Sequence, residues 1–298
     1  LNPDLKPLIV EYLGIRPGWR IVDVGCGTGA FTRYLAEALA DASADAGTSA
    51  FEDCSLIGID NDARFIETAK KIAGQKKPGK SLEFIVADAH DLPFPSSCFD
   101  LVVSHTLLGS VRDPNRAMIE MKRVARDGKT IASVTSMSLG HQAMHGGYYP
   151  PECLWTGRLA ELEQKVWAMY QSHSPLALFT GGVSTAEIPH MFSVHGIANI
   201  CIYPIGRVFS LSNAAMPAEE KKEYILGMYE AEIEKINTFW RIEASREHLK
   251  DEEYDEYLEL LGRKKDFLLN SIGENSIWEW HGGANLLIVG KVEKKQSP

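Results

Sequence analysis

The stretch "IVDVGCGTGAFT", residues 21–32, decides the fold. A short apolar run stops at Gly25, and Gly27 and Gly29 follow on alternate positions. Glycine loses more chain entropy on folding than any other residue, so such a cluster marks a turn or a close approach that a Cβ would obstruct. The residues beyond it, "AFTRYLAEALA" (30–40), place Phe31, Leu35 and Leu39 on one helical stripe. The segment therefore reads as a strand, a tight glycine turn and the start of a helix. Such a turn lets a ligand press against the backbone and meet the free N–H groups of the helix N-terminus.

The same rhythm extends outward. "LKPLIVEYLGI" (5–15) has helical spacing, and "SLIGID" (55–60), "LEFIVAD" (82–88), "FDLVVSHT" (99–106) and "TIASVTS" (130–136) read as strands. "RFIETAKKIA" (64–73) is an amphipathic helix, and "DPNRAMIEMKRVA" (113–125) opens with Asp113 as N-cap and Pro114 in the first helical position. Strands and helices that alternate in this way form parallel strands joined by crossovers. The expected fold class is α/β, a Rossmann-like doubly wound sheet of about seven strands.

After residue 136 the strand rhythm is lost. A helical stretch lies near 157–172, "EIPHMFSVHGIANICIYPI" (187–205) returns to helix, glycine stop and strand, and 217–271 is charged and helical. "ANLLIVGKV" (284–292) is the last strand, expected to run antiparallel. The expected organisation is a core over 1–136, an insert over 137–182, a return to the core over 183–216, a helical insert over 217–280, and a final strand and tail over 281–298. The inserts are expected to cap the ligand-binding edge of the sheet.

Composition narrows the class of function. The 298 residues carry a net charge of −9, which disfavours a nucleic-acid backbone as partner. The five cysteines (Cys26, Cys54, Cys98, Cys153 and Cys201) are scattered without a C-x-x-C pair, the usage of a reduced, cytoplasmic protein. No apolar run approaches the roughly 20 residues of a membrane helix, so no membrane role is expected. No metal is assigned. The chain starts at Leu1 without a methionine, and a trimmed N-terminal element is expected.

Two ligands compete for the glycine loop. The pattern is G-x-G-x-G, and Ala30 stands where the dinucleotide fingerprint G-x-G-x-x-G ends. The loop alone leaves a dinucleotide and S-adenosylmethionine both open. Asp60 at the end of the second strand can accept both ribose hydroxyls of an adenosine, and serves either ligand. Asp88 at the end of the third strand tips the balance. A carboxylate there can accept from an adenine amino group, while the N–H of Ala89 meets a ring nitrogen.

"VDVGCGTG", "GIDND", "ADAHDLPFPSSCFDLVVSHTLL" and "EMKRVARDGKTI" together resemble the class I S-adenosylmethionine-dependent methyltransferases. The resemblance is closest to the small-molecule branch that includes the ubiquinone and menaquinone biosynthesis methyltransferases. It implies that Asp23 holds the glycine loop, and that Gly25, Cys26 and Gly27 pass under the methionine part of the cofactor, with Gly29 completing the turn. It implies further that Asp60 binds the ribose with Asn61 beside it, that Asp88 and Ala89 hold the adenine, and that Ser104 and His105 meet the cofactor's amino end and face the substrate. The chain departs from the family at the turn before the fifth strand, where Arg126-Asp127-Gly128-Lys129 replaces the common Pro-Gly-Gly.

The substrate side is read more openly. His105 ends the fourth strand and is either a general base or a residue that only lines the pocket. In "HQAMHGGYYPPECLW", His141, His145, Tyr148, Tyr149 and Glu152 are candidate contacts to a small-molecule acceptor. "WEWHGG" (278–283) is either an aromatic wall or packing, and Cys26 is read as a small loop residue rather than a nucleophile. Cys153 and Cys201 raise an alternative, arsenite methylation on cysteine thiolates. A non-catalytic S-adenosylmethionine binder is a second alternative, and a nicotinamide dehydrogenase is a third, disfavoured by Asp88 and the glycine spacing.

Overall fold

The computed structural model describes residues 5–45, 51, 53–76, 82–136, 145–173, 187–205, 208–211, 216–273, 278–282 and 285–294. The described strands are β1 (Arg20–Val24), β2 (Ser55–Asp60), β3 (Leu82–Val86), β4 (Phe99–His105), β5 (Ala125–Ser136), β6 (His145–Tyr148), β7 (Ile197–Pro204), β8 (Val208–Ser210), β9 (Trp278–Gly282) and β10 (Asn285–Val292). The described helices are α1 (Lys6–Leu13), α2 (Ala30–Asp45), α3 (Ala63–Lys76), α4 (Pro114–Val124), α5 (Trp155–His173), α6 (Ile188–Val194), α7 (Ala218–Trp240) and α8 (Asp251–Asn270). The chain divides into two compact units, one of residues 1–138, 179–207 and 284–298, the other of residues 139–178 and 208–283.

The first unit is a seven-stranded sheet in the order β3-β2-β1-β4-β5-β10-β7. The strands β3, β2, β1, β4 and β5 are parallel, and β10 runs antiparallel to both β5 and β7. The Rossmann-like reading with an antiparallel last strand therefore holds. Strand periodicity explains the layering. In β1, Val22 and Val24 point into one core with Met118, Met121 and Phe192, while Ile21 points into the other with Val10, Leu13, Phe31 and Leu35. Asp113 caps α4 as its sequence predicts, its carboxylate accepting from the Arg116 N–H at 3.0 Å. The strand expected over 130–136 starts earlier, at Ala125, with its pairing to β4 shifted between Phe99 and Leu101.

The second unit combines α5, α7 and α8 with a small antiparallel sheet in the order β6-β9-β8. Leu162, Val166, Met169, Ile236, Tyr257 and Leu260 form its core. Two features differ from the sequence reading. Val208–Ser210, expected within the returning core segment, pair instead with β9. The helical stretch 217–271 is broken into α7 and α8 by a 3₁₀ turn at Glu243–Glu247, where the Ser245 hydroxyl donates to the Phe239 carbonyl at 2.7 Å. No described helix is long and apolar enough to cross a membrane.

Candidate active site

The carboxyl ends of β1, β2, β3 and β4 carry every core residue singled out in the sequence. Gly25, Gly27 and Gly29 all sit in the left-handed region, with φ of 72°, 53° and 74°. Side chains rarely adopt it, and packing tightens the demand. A Cβ on Gly25 would lie 2.6 Å from Leu107 Cδ1, and one on Gly29 would lie 2.5 Å from the Phe84 ring. A Cβ on Gly27 would meet nothing within 4 Å. That open space is the cradle a ligand needs at a glycine loop.

Holding the loop falls to Asp60 rather than to Asp23. Asp60 Oδ2 accepts the Gly27 N–H at 2.9 Å, and Oδ1 accepts the Asp62 N–H at 2.9 Å. Each oxygen keeps a lone pair for a further donor. The Cys26 N–H completes the junction by donating to the Ile59 carbonyl at 2.8 Å. Asp23, by contrast, faces α2, where the Thr32 hydroxyl donates to its Oδ2 at 2.7 Å. Its Oδ1 is buried and has no hydrogen-bond partner among the described residues.

Asp23 is 1% exposed, and burial pushes its carboxyl up to about 7, with the Thr32 hydroxyl opposing and the Asp60 charge reinforcing. Its folded pKa lies above the ordinary 3.8, so the native state holds this proton more tightly. The stability this contributes is full below about pH 4 and is lost as the pH rises through about 7, on the order of a few kcal/mol. Asp23→Asn, which cannot titrate, should remove that pH slope. Urea unfolding at pH 5 and pH 8 checks this, and equal slopes in both proteins would contradict it.

Asp88 follows β3 and is exposed. Its Oδ1 accepts the His90 N–H at 2.9 Å and lies 2.8 Å from His90 Nδ1. The His90 backbone N–H is the main cause that holds the Asp88 pKa below its ordinary value, so the group is a charged acceptor at neutral pH. Ala89 is buried beside it, and Asn61 is exposed beside Asp60. The loop between β3 and β4 is anchored by α4. Arg123 donates to the carbonyls of Leu92 and Phe94 at 2.8 and 2.7 Å, and Glu120 accepts the Leu92 N–H at 2.8 Å.

Ser104 and His105 part company because neighbours on a strand face opposite sides. Ser104 is fully buried, its hydroxyl 3.4 Å from that of Ser133, so only its backbone can serve a ligand. The His105 ring stacks on Phe31, with centroids 5.6 Å apart, and burial lowers its pKa. Thr106 follows with φ of 56°, an outlier for a β-branched residue. It is pinned there by its N–H to the Val134 carbonyl at 2.8 Å and by its hydroxyl to the His105 carbonyl at 2.7 Å. Backbone strain of this kind concentrates at functional sites.

Sequence reasoning missed Thr32, Phe31, His90 and Thr106. Only His90 had a local signal, two residues after Asp88 and placed for a turn. The Cys26 thiol is buried and pushed far up by burial and by Asp23 and Asp60, which leaves it inert and fits a small loop residue.

The acceptor candidates belong to the second unit. His141 lies outside the described residues, and His145 and Tyr148 are the ends of β6. Tyr149 packs edge-on against Trp155, with centroids 5.7 Å apart, and Glu152 is exposed. Cys153 is buried, which raises its thiol pKa, and Cys201 is exposed on β7. Among the described residues no cluster of His, Cys, Asp and Glu could hold a metal ion.

Residues 15–167 match the family model described as "Methyltransferase domain". A demethylmenaquinone methyltransferase of Renibacterium salmoninarum is 31% identical over 123 residues, which cover 41% of this chain and 44% of the relative. An O-methyltransferase of Penicillium expansum is 32% identical over 127 residues, 41% of each chain. The chain thus spans less than half the length of these curated relatives. Among solved structures, phosphoethanolamine N-methyltransferase 2 of Haemonchus contortus, in complex with S-adenosyl-L-methionine, aligns with 98% of this chain and 53% of its own at 15% identity and a TM-score of 0.48. Matched over 15–167, glycine loop and strand-end carboxylates included, the chain belongs to the methyltransferase-domain family.

Proposed function

We propose that the chain methylates an oxygen, nitrogen, carbon or sulfur atom of a small-molecule acceptor. The observation that carries this reading is the row of Asp23, Asp60 and Asp88 at the carboxyl ends of three adjacent parallel strands, around a left-handed glycine loop. The residues fit the cofactor. Asp60 has lone pairs left for a ribose diol, Asp88 is a charged acceptor for an adenine amino group with the Ala89 N–H beside it, and the backbone at Gly27 opens onto free space for the methionine part. When bound, S-adenosylmethionine supplies a methyl group already activated on sulfonium sulfur. The protein's part is then to align the acceptor in line with that methyl and to exclude water.

His105 is the proposed proton acceptor. Burial lowers its pKa, so its imidazole is neutral near pH 7, the form that takes a proton from a hydroxyl or ammonium acceptor. His105→Gln should lower kcat by about 10²-fold while leaving cofactor affinity unchanged. An unchanged kcat would restrict His105 to lining the pocket. His145, Tyr148, Tyr149 and Glu152 remain proposed acceptor contacts, Tyr149 the weakest because its ring serves the core of the second unit.

The demethylmenaquinone methyltransferase among the relatives suggests where an acceptor search should begin. Tritium transfer from methyl-labelled S-adenosylmethionine to a panel of small acceptors, headed by a 1,4-naphthoquinol, tests the function. Arsenite has less support as acceptor, because As(III) takes several converging thiols and neither Cys153 nor Cys201 belongs to a cluster of such ligands among the described residues.

A further inference from the structure

The first unit carries a second concave site, at the edge of the sheet opposite the glycine loop. A groove of about 820 Å³ lies where α1 ends and β1 begins. Trp19 immediately precedes β1, Lys129 lies early in β5, and Lys291 lies near the end of the antiparallel β10, paired with Thr130. All three line the groove with Arg16, Val10 and Ile15.

The charges there are one-sided. Arg16, Lys129 and Lys291 face a single lining carboxylate, Glu11, in a chain whose net charge is −9. Lys129 is already engaged, 3.4 Å from Asp100 Oδ1 and 4.8 Å above the Trp19 ring. Among the described residues Lys291 Nζ donates only to a neutral partner, the Thr130 hydroxyl at 2.8 Å. Among the described residues neither Arg16 nor Lys291 has a carboxylate within ion-pair distance. Holding these cations together is unfavourable. Burial, then Lys129 and Arg16, lower the pKa of Lys291. A dianion placed between Arg16 and Lys291 would remove that repulsion and gain charge-assisted hydrogen bonds. Beside the cations the wall is apolar, formed by Val10, Ile15 and Trp19.

We propose that this groove binds a small, soluble organic phosphate, its phosphate held by Arg16 and Lys291 and its carbon part laid along Val10, Ile15 and Trp19. The site lies apart from the cofactor loop and does not depend on the proposed reaction.

Calorimetric titration of the full chain with phenyl phosphate and with inorganic phosphate tests it. Phenyl phosphate should bind, and more tightly than inorganic phosphate. Lys291→Met and, separately, the exposed Arg16→Gln should each weaken it about tenfold. S-adenosylhomocysteine binding should be unchanged in both variants, which also reports that they are folded. No binding of phenyl phosphate up to about 10 mM would overturn the proposal, as would binding of wild-type strength in both variants. Competition by S-adenosylhomocysteine would place the phosphate at the cofactor loop instead. Sedimentation with phosphatidic acid vesicles, without binding of phenyl phosphate, would assign the groove to a lipid headgroup and equally overturn it.

Discussion

Replacing Asp60 by alanine is expected to weaken binding of S-adenosylhomocysteine by about two orders of magnitude or more. The side chain does two things at once. Its oxygens hold the Gly27 and Asp62 N–H groups at 2.9 Å each, which fixes the loop against the end of β2. In the proposed cofactor site their remaining lone pairs would accept from a ribose diol, and hydrogen bonds to a charged group are worth roughly 1.5–3 kcal/mol apiece. Alanine removes both sets. Asp60→Asn keeps one carbonyl oxygen and should lose less. Calorimetry on both variants, with circular dichroism to establish folding, measures the effect. Wild-type affinity in the alanine variant would remove Asp60 from the site.

The second large effect separates two glycines of one loop. Gly29→Ala combines a left-handed backbone, costing about 1–2 kcal/mol, with overpacking against the Phe84 ring, costing about 1–3 kcal/mol more. It should lower the melting temperature markedly. Gly27→Ala bears only the backbone cost of about 1–2 kcal/mol, because its methyl would enter open space. If that space belongs to the cofactor, Gly27→Ala should stay folded at room temperature and still lose affinity about tenfold or more. Chemical denaturation and calorimetry on the pair check both parts. A Gly27→Ala protein that binds like wild type would mean that the cofactor does not approach the loop there.

Much of the sheet was legible because its signals are local. The apolar run before Gly25, the acidic ends of "SLIGID" and "LEFIVAD" and the Asp113-Pro114 cap each announce one element by spacing alone. The small sheet of the second unit was not legible. Its strands β6, β8 and β9 are short, β6 contains Gly146 and Gly147, and each finds its partner far away in sequence. The break between α7 and α8 was also hidden, since a charged helical pattern runs through it without proline. At the site, residue types were readable but pairings were not. Asp23 was expected to hold the loop and instead meets Thr32, whereas Asp60 meets Gly27. The reason Gly29 must be glycine is Phe84, on another strand. The left-handed backbone at Thr106 runs against its β-branched side chain, so no propensity could have foretold it.

The glycine loop, with Asp60 and Asp88 beside it, is proposed to serve S-adenosylmethionine. Titrating the wild-type chain with S-adenosylmethionine and, in parallel, with NAD tests it most directly. Saturable binding of the sulfonium compound, displaced by S-adenosylhomocysteine and absent for NAD, is the expected result. Binding of NAD alone would contradict it and make the loop a dinucleotide site.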